Sequence, residues 1–272
     1  MPLDESAAAK RLPALVEWLK RAANECKAMF PGVKYSDDDD FAFMALCFFG
    51  KQLDHAESLL RLVPLKDSVL IARCMVEGLC QLLWAAGDMK IRPVRWRAFA
   101  AVHDFRRLHR SPAVGWTPSA EDLQTLQDAL RESEDLILSK KAKALRTRGQ
   151  PLPSDPYHRD WRAGETITDI IRSVGDPQIL DFAYGPYSSW AHWSPESFGD
   201  RLEGHEAGIT YRSPVSHLHA SFATAVATPC LLQTAHLLGS HLELPQVAAI
   251  EQLRDHFAEW YNSLKSSPNG EA

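Results

Sequence analysis

The sequence predicts an all-α protein, folded as a single helical bundle of about eight to ten helices. Apolar residues recur at intervals of three and four along nearly every periodic segment, whereas sustained alternation is rare. Several prolines directly follow a serine or an aspartate, a pattern typical of a helix N-terminus. The 272 residues, 45 % of them hydrophobic and 24 % charged, are enough to bury a self-sufficient core.

The first two helices are predicted from their start and stop signals. The first runs from about Leu12 to Met29 and ends at the Pro-Gly pair 31–32. The second opens at Ser36, whose hydroxyl would cap free amides while the four aspartates 37–40 complement the helix dipole. Because four consecutive carboxylates point in different directions around a helix, this run indicates a helix start rather than a metal site.

A central helix is predicted over the segment 66–86. Its strongly polar interior residues Arg73, Glu77 and Gln81 stand four apart, which places them in one narrow line on an otherwise apolar surface. Neighbouring helices must therefore cover most of its circumference. An exposed ion pair would explain Arg73 and Glu77, but a partly buried pair facing a groove would be suited to holding an anion.

The middle of the chain predicts two more helices and a loop. One helix runs from about Pro93 to Leu108, and a long charged one, capped by Ser119, continues to about Thr147 as an arm on the surface. The range 146–161, with three prolines and a glycine, is the best candidate linker. Apolar segments flank it on both sides, so we expect one bundle rather than two domains.

Proline positions divide the rest of the chain into shorter helices. The last helix runs from about Pro245 to Leu264, and the preceding one is expected to kink or end near Pro229. The other predicted starts are at Asp176-Pro177, Pro186, Ser194-Pro195 and Ser213-Pro214.

Charge and cysteine content restrict the functional class. The net charge of −5 gives no overall basic footprint for nucleic-acid binding, although a local basic groove stays open. Five cysteines without a C-x-x-C spacing and an acidic start without a signal peptide predict a cytoplasmic protein. The stretch 213–242 contains no Asp, Glu, Lys or Arg, but its histidines and proline favour a buried helix over a membrane span. No metal site and no cofactor are predicted, since H-E-x-x-H is absent.

The segment 184–193, YGPYSSWAHW, is the richest in reactive side chains. With a helix starting at its proline, Ser188 and His192 lie four apart on one face. His192 would then be a general acid or base, because imidazole titrates near neutral pH. Alternatively, His192 is a buried histidine that Ser188 holds among aromatic rings. A serine hydrolase is disfavoured because no G-x-S-x-G turn is present.

Two motifs together resemble those of an uncharacterised bacterial all-helical family, which is similar to HEPN-type domains of toxin and phage-defence systems. The motifs are R-x-x-x-E at Arg73 and Glu77, and Y-x-x-Y-S-x-x-x-H at Tyr184, Tyr187, Ser188 and His192. The resemblance implies that these residues converge in one groove. It also implies one all-α domain over 1–272, with a HEPN-like core over 36–200, a long charged helix inserted, and C-terminal helices over 213–266 packing on the core.

HEPN nucleases are typically metal-independent ribonucleases that act as dimers and carry an arginine and a histidine separated by four to six residues. No arginine precedes His192 at that distance. Literal matches are Arg97 with His103 and Arg212 with His217 or His219, and such short matches are expected by chance. Pro214 places Arg212 outside the helix that carries the histidines. The first candidate pair is therefore His192 with Arg73, and the second is Arg97 with His103.

Three functional hypotheses follow. The first is a metal-independent endoribonuclease of toxin or defence type: His192 is the acid/base, Arg73 holds phosphate, and Glu77 orients Arg73. Ser188 and Tyr187 position His192, and Tyr184 also contacts the substrate. The second is a non-catalytic helical binding or scaffold module in which the same residues form a polar core network. The third is a bundle that binds a small molecule or a nucleotide. The expected partners are RNA and either a cognate protein or a second copy of the chain, with no membrane.

Overall fold

The computed structural model describes residues 4–29, 31, 33–110, 118–175, 184–191, 202–206, 208–211 and 215–266. These residues are mostly helical, which confirms the predicted all-α bundle. The helices are α1 (Glu5–Met29), α2 (Asp40–Leu62), α3 (Ser68–Ala86), α4 (Arg92–Arg110), α5 (Ala120–Glu132), α6 (Glu134–Ile137), α7 (Lys140–Thr147), α8 (Ile167–Val174), α9 (Gly185–Ala191), α10 (His217–His241) and α11 (Val247–Ser266).

One short β-hairpin was not predicted. Strands β1 (Leu202–His205) and β2 (Gly208–Tyr211) pair antiparallel, with Leu202 opposite Tyr211. Each strand is only four residues long, too short for alternation to give a clear signal.

The first two helices differ from their predicted starts. Helix α1 begins at Glu5 rather than near Leu12, because the Asp4 carboxylate accepts a hydrogen bond from the Ala7 amide at 2.7 Å. Helix α2 is capped by Asp39, which accepts from the Ala42 amide at 2.8 Å, and not by Ser36. The aspartate run is thus a helix start, as predicted, but the capping oxygen belongs to its third member.

Helices α3 and α10 form the centre of the bundle. Helix α3 packs against α2, α8, α9 and α10, while α10 also contacts α1, α2 and α11. Small residues on α10 allow this close approach, and the buried hydroxyls of Thr224, Thr228 and Thr234 each donate to the carbonyl oxygen four residues earlier. This internal pairing explains how a segment without charged residues buries its polar groups.

Helix α10 continues through Pro229, so the expectation that it ends there is wrong. Proline removes one helical hydrogen bond, but the flanking residues Thr228 and Cys230 are both buried against neighbouring helices. Packing on both sides therefore keeps the helix continuous. The predicted starts at Asp176-Pro177 and Ser194-Pro195 lie outside the described residues, as do Ser213 and Pro214, and Ser216 caps α10 instead.

Among the described residues, α3 is the one helix that is long and apolar enough to cross a membrane. It lies inside the bundle, with its apolar residues packed against α2, α8 and α10. The apolar surface of α3 is therefore covered in large part by neighbouring helices.

The predicted surface arm from Ser119 to Thr147 is three helices rather than one. Ser119 caps α5 as predicted, in a reciprocal arrangement with Asp122. The helical conformation then ends after α6. Ile137 and Leu138 are consecutive and both buried, and one straight surface helix cannot bury two consecutive side chains.

The proline-rich range 146–161 is held against the bundle rather than extended as a linker. The Arg106 guanidinium donates to the Asp155 carboxylate at 2.8 Å and to the carbonyls of His158 and Arg159. Trp161 is buried, with its ring centroid 5.4 Å from that of Trp84 on α3. This docking brings the residues that follow Trp161 next to the central helix.

Candidate functional site

Arg73 and Glu77 form a partly buried ion pair on α3. Arg73 Nη2 lies 2.8 Å from Glu77 Oε1, and the two side chains keep only 17 % and 26 % of their exposure. The helical spacing of four places the guanidinium beside the carboxylate on the same face. Of the two interpretations of this pair, the structure matches the partly buried one.

Tyr184 covers the Arg73 guanidinium. The Arg73 Cζ atom lies 5.3 Å from the centroid of the Tyr184 ring, a cation–π contact. Helix α9, which follows Tyr184, packs on α3. The two sequence motifs therefore meet through these two side chains.

One donor of Arg73 is unused. Among the described residues, Arg73 Nε is buried and has no hydrogen-bond acceptor. A buried guanidinium N–H without a partner costs free energy. The site can therefore accept an additional acceptor oxygen.

A second guanidinium, that of Arg162, lies near Glu77, and no motif in the sequence predicted it. Arg162 donates to Asp160 at 3.1 Å from Nε and at 2.7 Å from Nη2. The hydrogen bond with Asp160 raises the pKa of Arg162 against the opposing effect of burial, and the charge of the Glu77 carboxylate adds to the rise. Burial raises the pKa of Asp160, but the hydrogen bonds and charge of Arg162 outweigh burial and lower it. Arg162 therefore belongs to the same electrostatic cluster as Arg73 and Glu77.

Tyr187 lies in the core rather than beside Arg73. It is 4 % exposed, and its ring meets Phe222 of α10 edge-on at 6.2 Å between centroids. Burial strongly raises the pKa of its phenol, and the hydroxyl has no partner among the residues that the structure describes. This position suits a packing residue and not a group that touches substrate.

Ser188 is partly exposed on α9, and α9 ends at Ala191. His192 lies outside the described residues. The pairing of Ser188 with His192 stays a prediction from their spacing.

The second candidate pair, Arg97 and His103, is divided between two surroundings. Arg97 Nη1 bonds the Asp37 carbonyl at 2.7 Å and the Asp40 carboxylate at 3.1 Å, so it clamps α4 to the start of α2. His103 is exposed and lines a separate shallow cleft of about 780 Å³ near Arg106 and Asp155. The structure thus gives Arg97 a structural role.

Positive charge concentrates beside the docked loop. Burial lowers the pKa of His158, and the nearby charges of Arg95, Lys143 and Lys140 lower it further. These cations come from α4 and α7, which are distant in sequence. The acidic chain therefore carries a small basic surface, formed by the exposed Lys140 and Lys143 near His158, where the charge of Asp160 opposes theirs.

Among the described residues, no group of three histidine, cysteine or acidic side chains is arranged to hold a metal ion. Comparison with protein-family models, with curated proteins and with solved structures found no significant match. The function must therefore be argued from the site itself.

Proposed function

We propose that this protein is a HEPN-like, metal-independent endoribonuclease of the bacterial toxin or phage-defence type that acts in the cytoplasm. Arg73 and Arg162 would hold a phosphodiester of the RNA, and His192 would exchange the proton. The observation that carries the proposal is the contact between Arg73 and Tyr184, because it joins the two motifs on which the resemblance depends.

The arrangement of Arg73 suits phosphate binding. A guanidinium presents five N–H donors in a fixed plane, matching the oxygens of a phosphate. Glu77 engages one edge through Nη2 and leaves Nε unused. Glu77 would hold the Arg73 guanidinium in place, and its negative charge also acts on Arg162.

The proposed chemistry is an internal transfer within the RNA. His192 takes the proton from a ribose 2′-hydroxyl, and the 2′-oxygen then forms a bond to the adjacent phosphorus. The bond from phosphorus to the 5′-oxygen breaks with its electron pair, and that oxygen takes up a proton. Arg73 offsets the negative charge that accumulates on the phosphoryl oxygens. The products are a 2′,3′-cyclic phosphate and a 5′-hydroxyl.

The basic surface near His158 supports RNA as the substrate. The chain as a whole is acidic, so binding of a polyanion requires a local concentration of cations. The exposed Lys140 and Lys143 would supply it near the loop that carries Arg162. Binding through these groups should weaken as salt increases.

The proposal is tested by incubating the protein with single-stranded RNA in EDTA. We expect cleavage that falls by roughly a hundredfold or more in His192→Ala and in Arg73→Ala. The matched controls are His256→Ala on the exposed face of α11, and Arg61→Ala, whose i,i+4 pair with Glu57 is exposed. Both controls should cleave at the wild-type rate. Full activity in folded Arg73→Ala or His192→Ala, or no wild-type cleavage, would refute the proposal.

A second candidate is the non-catalytic binding module, with a cognate protein or a second copy of the chain as its partner. One observation favours it: each described arginine of the cluster already has an acidic partner, Arg73 with Glu77 and Arg162 with Asp160. Under this hypothesis Arg73→Ala lowers the melting temperature, and the wild-type protein has no RNA cleavage to lose. The same two measurements therefore separate the candidates.

A further inference from the structure

A cleft of about 240 Å³ lies between α2 and α3, outside the arginine cluster. Phe48 on α2 and Trp96 on α4 line it, and their ring centroids are 5.8 Å apart at an angle of 67°. Gly78 on α3 contributes to the lining and leaves the cleft open, because a methyl group there would lie only 3.2 Å from Gln52 Nε2. The cleft therefore has two aromatic rings in its lining and, at Gly78, a position without a side chain.

Gln52 provides an unused acceptor in this lining. The side chain is 2 % exposed, and its Nε2 donates to the Met75 carbonyl at 2.8 Å. That bond assigns the amide orientation, since the carbonyl can only accept. Among the described residues, Gln52 Oε1 is buried without a hydrogen-bond donor. A ligand that brings an N–H group would satisfy it.

The rim of the cleft adjoins the arginine cluster. Cys74 lines the cleft and directly follows Arg73 in α3. Burial raises the pKa of the Cys74 thiol and the charge of Glu77 adds to this, while Arg73 and Lys51 act in the opposite direction. Lys51 also lines the cleft. The charges of Lys51 in the cleft and Arg73 in the cluster therefore both act on the Cys74 thiol.

We propose that this cleft binds an unpaired nucleobase, stacked on one of the two rings of Phe48 and Trp96 and donating an N–H to Gln52 Oε1, with its phosphate towards Lys51. Base stacking on aromatic side chains tolerates any sequence. The assignment to RNA rests on the proposed nuclease function, whereas the base chemistry would equally serve a free nucleotide. The cleft would place a base next to the phosphate that Arg73 holds.

Thiol protection tests the proposal without any cleavage assay. Cys47 and Cys74 are exposed and line the cleft, whereas Cys26, Cys80 and Cys230 are buried. Alkylation at each cysteine is followed by peptide mass analysis in the presence of AMP or ribose 5-phosphate. We expect AMP to slow alkylation of Cys47 and Cys74 by roughly tenfold, and ribose 5-phosphate to have little effect. Equal protection by both compounds, or none by AMP at about 10 mM, would overturn the proposal.

Two glycine variants provide a matched comparison. Gly78→Ala narrows the cleft and should raise the AMP concentration for half-protection by about tenfold. Gly50→Ala, on the exposed side of α2 with no atom within 4 Å of the added carbon, should leave it unchanged. Equal behaviour of the two variants, each confirmed to be folded by its melting temperature, would contradict the assignment.

Whether the base belongs to RNA or to a free nucleotide is tested by repeating the thiol protection with an oligoribonucleotide and the His192→Ala protein. RNA is supported as the ligand if the oligonucleotide protects more strongly than AMP and an abasic oligonucleotide does not protect. Protection by AMP but not by the oligonucleotide refutes the RNA assignment. AMP protection without RNA cleavage by the wild-type protein removes the nuclease proposal and leaves the base site. RNA cleavage by the wild-type protein without protection by AMP removes the base site and leaves the nuclease proposal.

Discussion

Arg73 lies on α3, whose other residues are mostly apolar. This position determines how its charge affects the stability of the fold. With 17 % of its exposure left, its charge is poorly hydrated and depends on Glu77 and on the Tyr184 ring. Buried charges are tolerated when they are paired, and removing one partner leaves the other uncompensated. The pair is therefore expected to contribute to stability in a way that surface pairs do not.

Glu77→Ala should lower the free energy of unfolding by about 1 to 3 kcal/mol, because Arg73 loses its carboxylate in a poorly hydrated position. Glu17→Ala, which removes the exposed partner of Lys20 on α1, should leave stability unchanged. Urea denaturation measures both. Equal effects of the two substitutions would show that the Arg73 pair behaves as an ordinary surface pair.

Asp39 predicts a pH dependence of stability. Burial raises its pKa, but the Ala42 amide and His241, whose Nε2 lies 2.8 Å from Oδ2, outweigh burial and lower it below the ordinary 3.8. A lowered pKa in the folded state gives stability that is complete above the unfolded pKa and is lost as the pH falls through the folded one. Asp39→Asn should therefore melt below the wild type at about pH 7, and the difference should shrink towards pH 3.

Thermal melts of wild type, Asp39→Asn and the exposed control Asp38→Asn across this pH range check the prediction. The control should follow the wild type throughout. A gap between wild type and Asp39→Asn that stays constant with pH would contradict the assignment of the cap.

The residues of the site differ in how far the sequence could predict them. Arg73, Glu77 and Tyr184 belong to motifs with regular spacing, and the first two lie on one helix, so their proximity follows from helical geometry. Arg162 could not be predicted, because its approach depends on how Arg106 and Trp161 dock a proline-rich loop. Gln52 was missed for a similar reason, since its orphan oxygen exists only once α2 packs on α3.

Among the secondary-structure elements, helix α10 lies very close to α1 and α11 at Gly239. Of the described glycines, this is where an added Cβ would meet its neighbours at the shortest distance. A methyl group there would lie 2.0 Å from Met29 Cε of α1 and 2.5 Å from Val247 Cγ2 of α11. The methionine end can move, but the branched valine has less freedom. The absence of a side chain at this position lets three helices meet.

Gly239→Ala should destabilise the protein by about 1 to 3 kcal/mol, because the overpacked helices must separate. Gly50→Ala should instead stabilise it by about 0.5 to 1 kcal/mol, since alanine is the better helix former and the site is open. Urea titration of both variants measures the difference. A stabilising Gly239→Ala would show that α10 does not approach α1 and α11 this closely.

The sequence predicted which helices exist more accurately than where they begin and end. The hydrophobic period indicated α1 to α4, α10 and α11, whose apolar faces all contact the core. The break between α6 and α7 was not predicted, because Leu138 is fixed in an isolated bridge with Tyr157 by a contact that is distant in sequence. The continuity of α10 through Pro229 likewise depends on packing that local propensity does not contain.

At the scale of the whole molecule, an acidic bundle presents two adjoining features on its central helix. The arginine cluster faces α9 and the docked loop, and the aromatic cleft lies between α2 and α3. Together they suit a flexible single strand better than a duplex, because a base must leave the stack to enter the cleft. Both features therefore fit the proposed function, RNA cleavage that uses side chains alone.

The chemistry of the cleaved RNA ends tests this account most directly. Wild-type protein in EDTA should leave 2′,3′-cyclic phosphate and 5′-hydroxyl ends, and a strand with 2′-deoxyribose at every position should stay intact. Products with 3′-hydroxyl and 5′-phosphate ends, cleavage of the deoxyribose strand, or loss of cleavage in EDTA would contradict it.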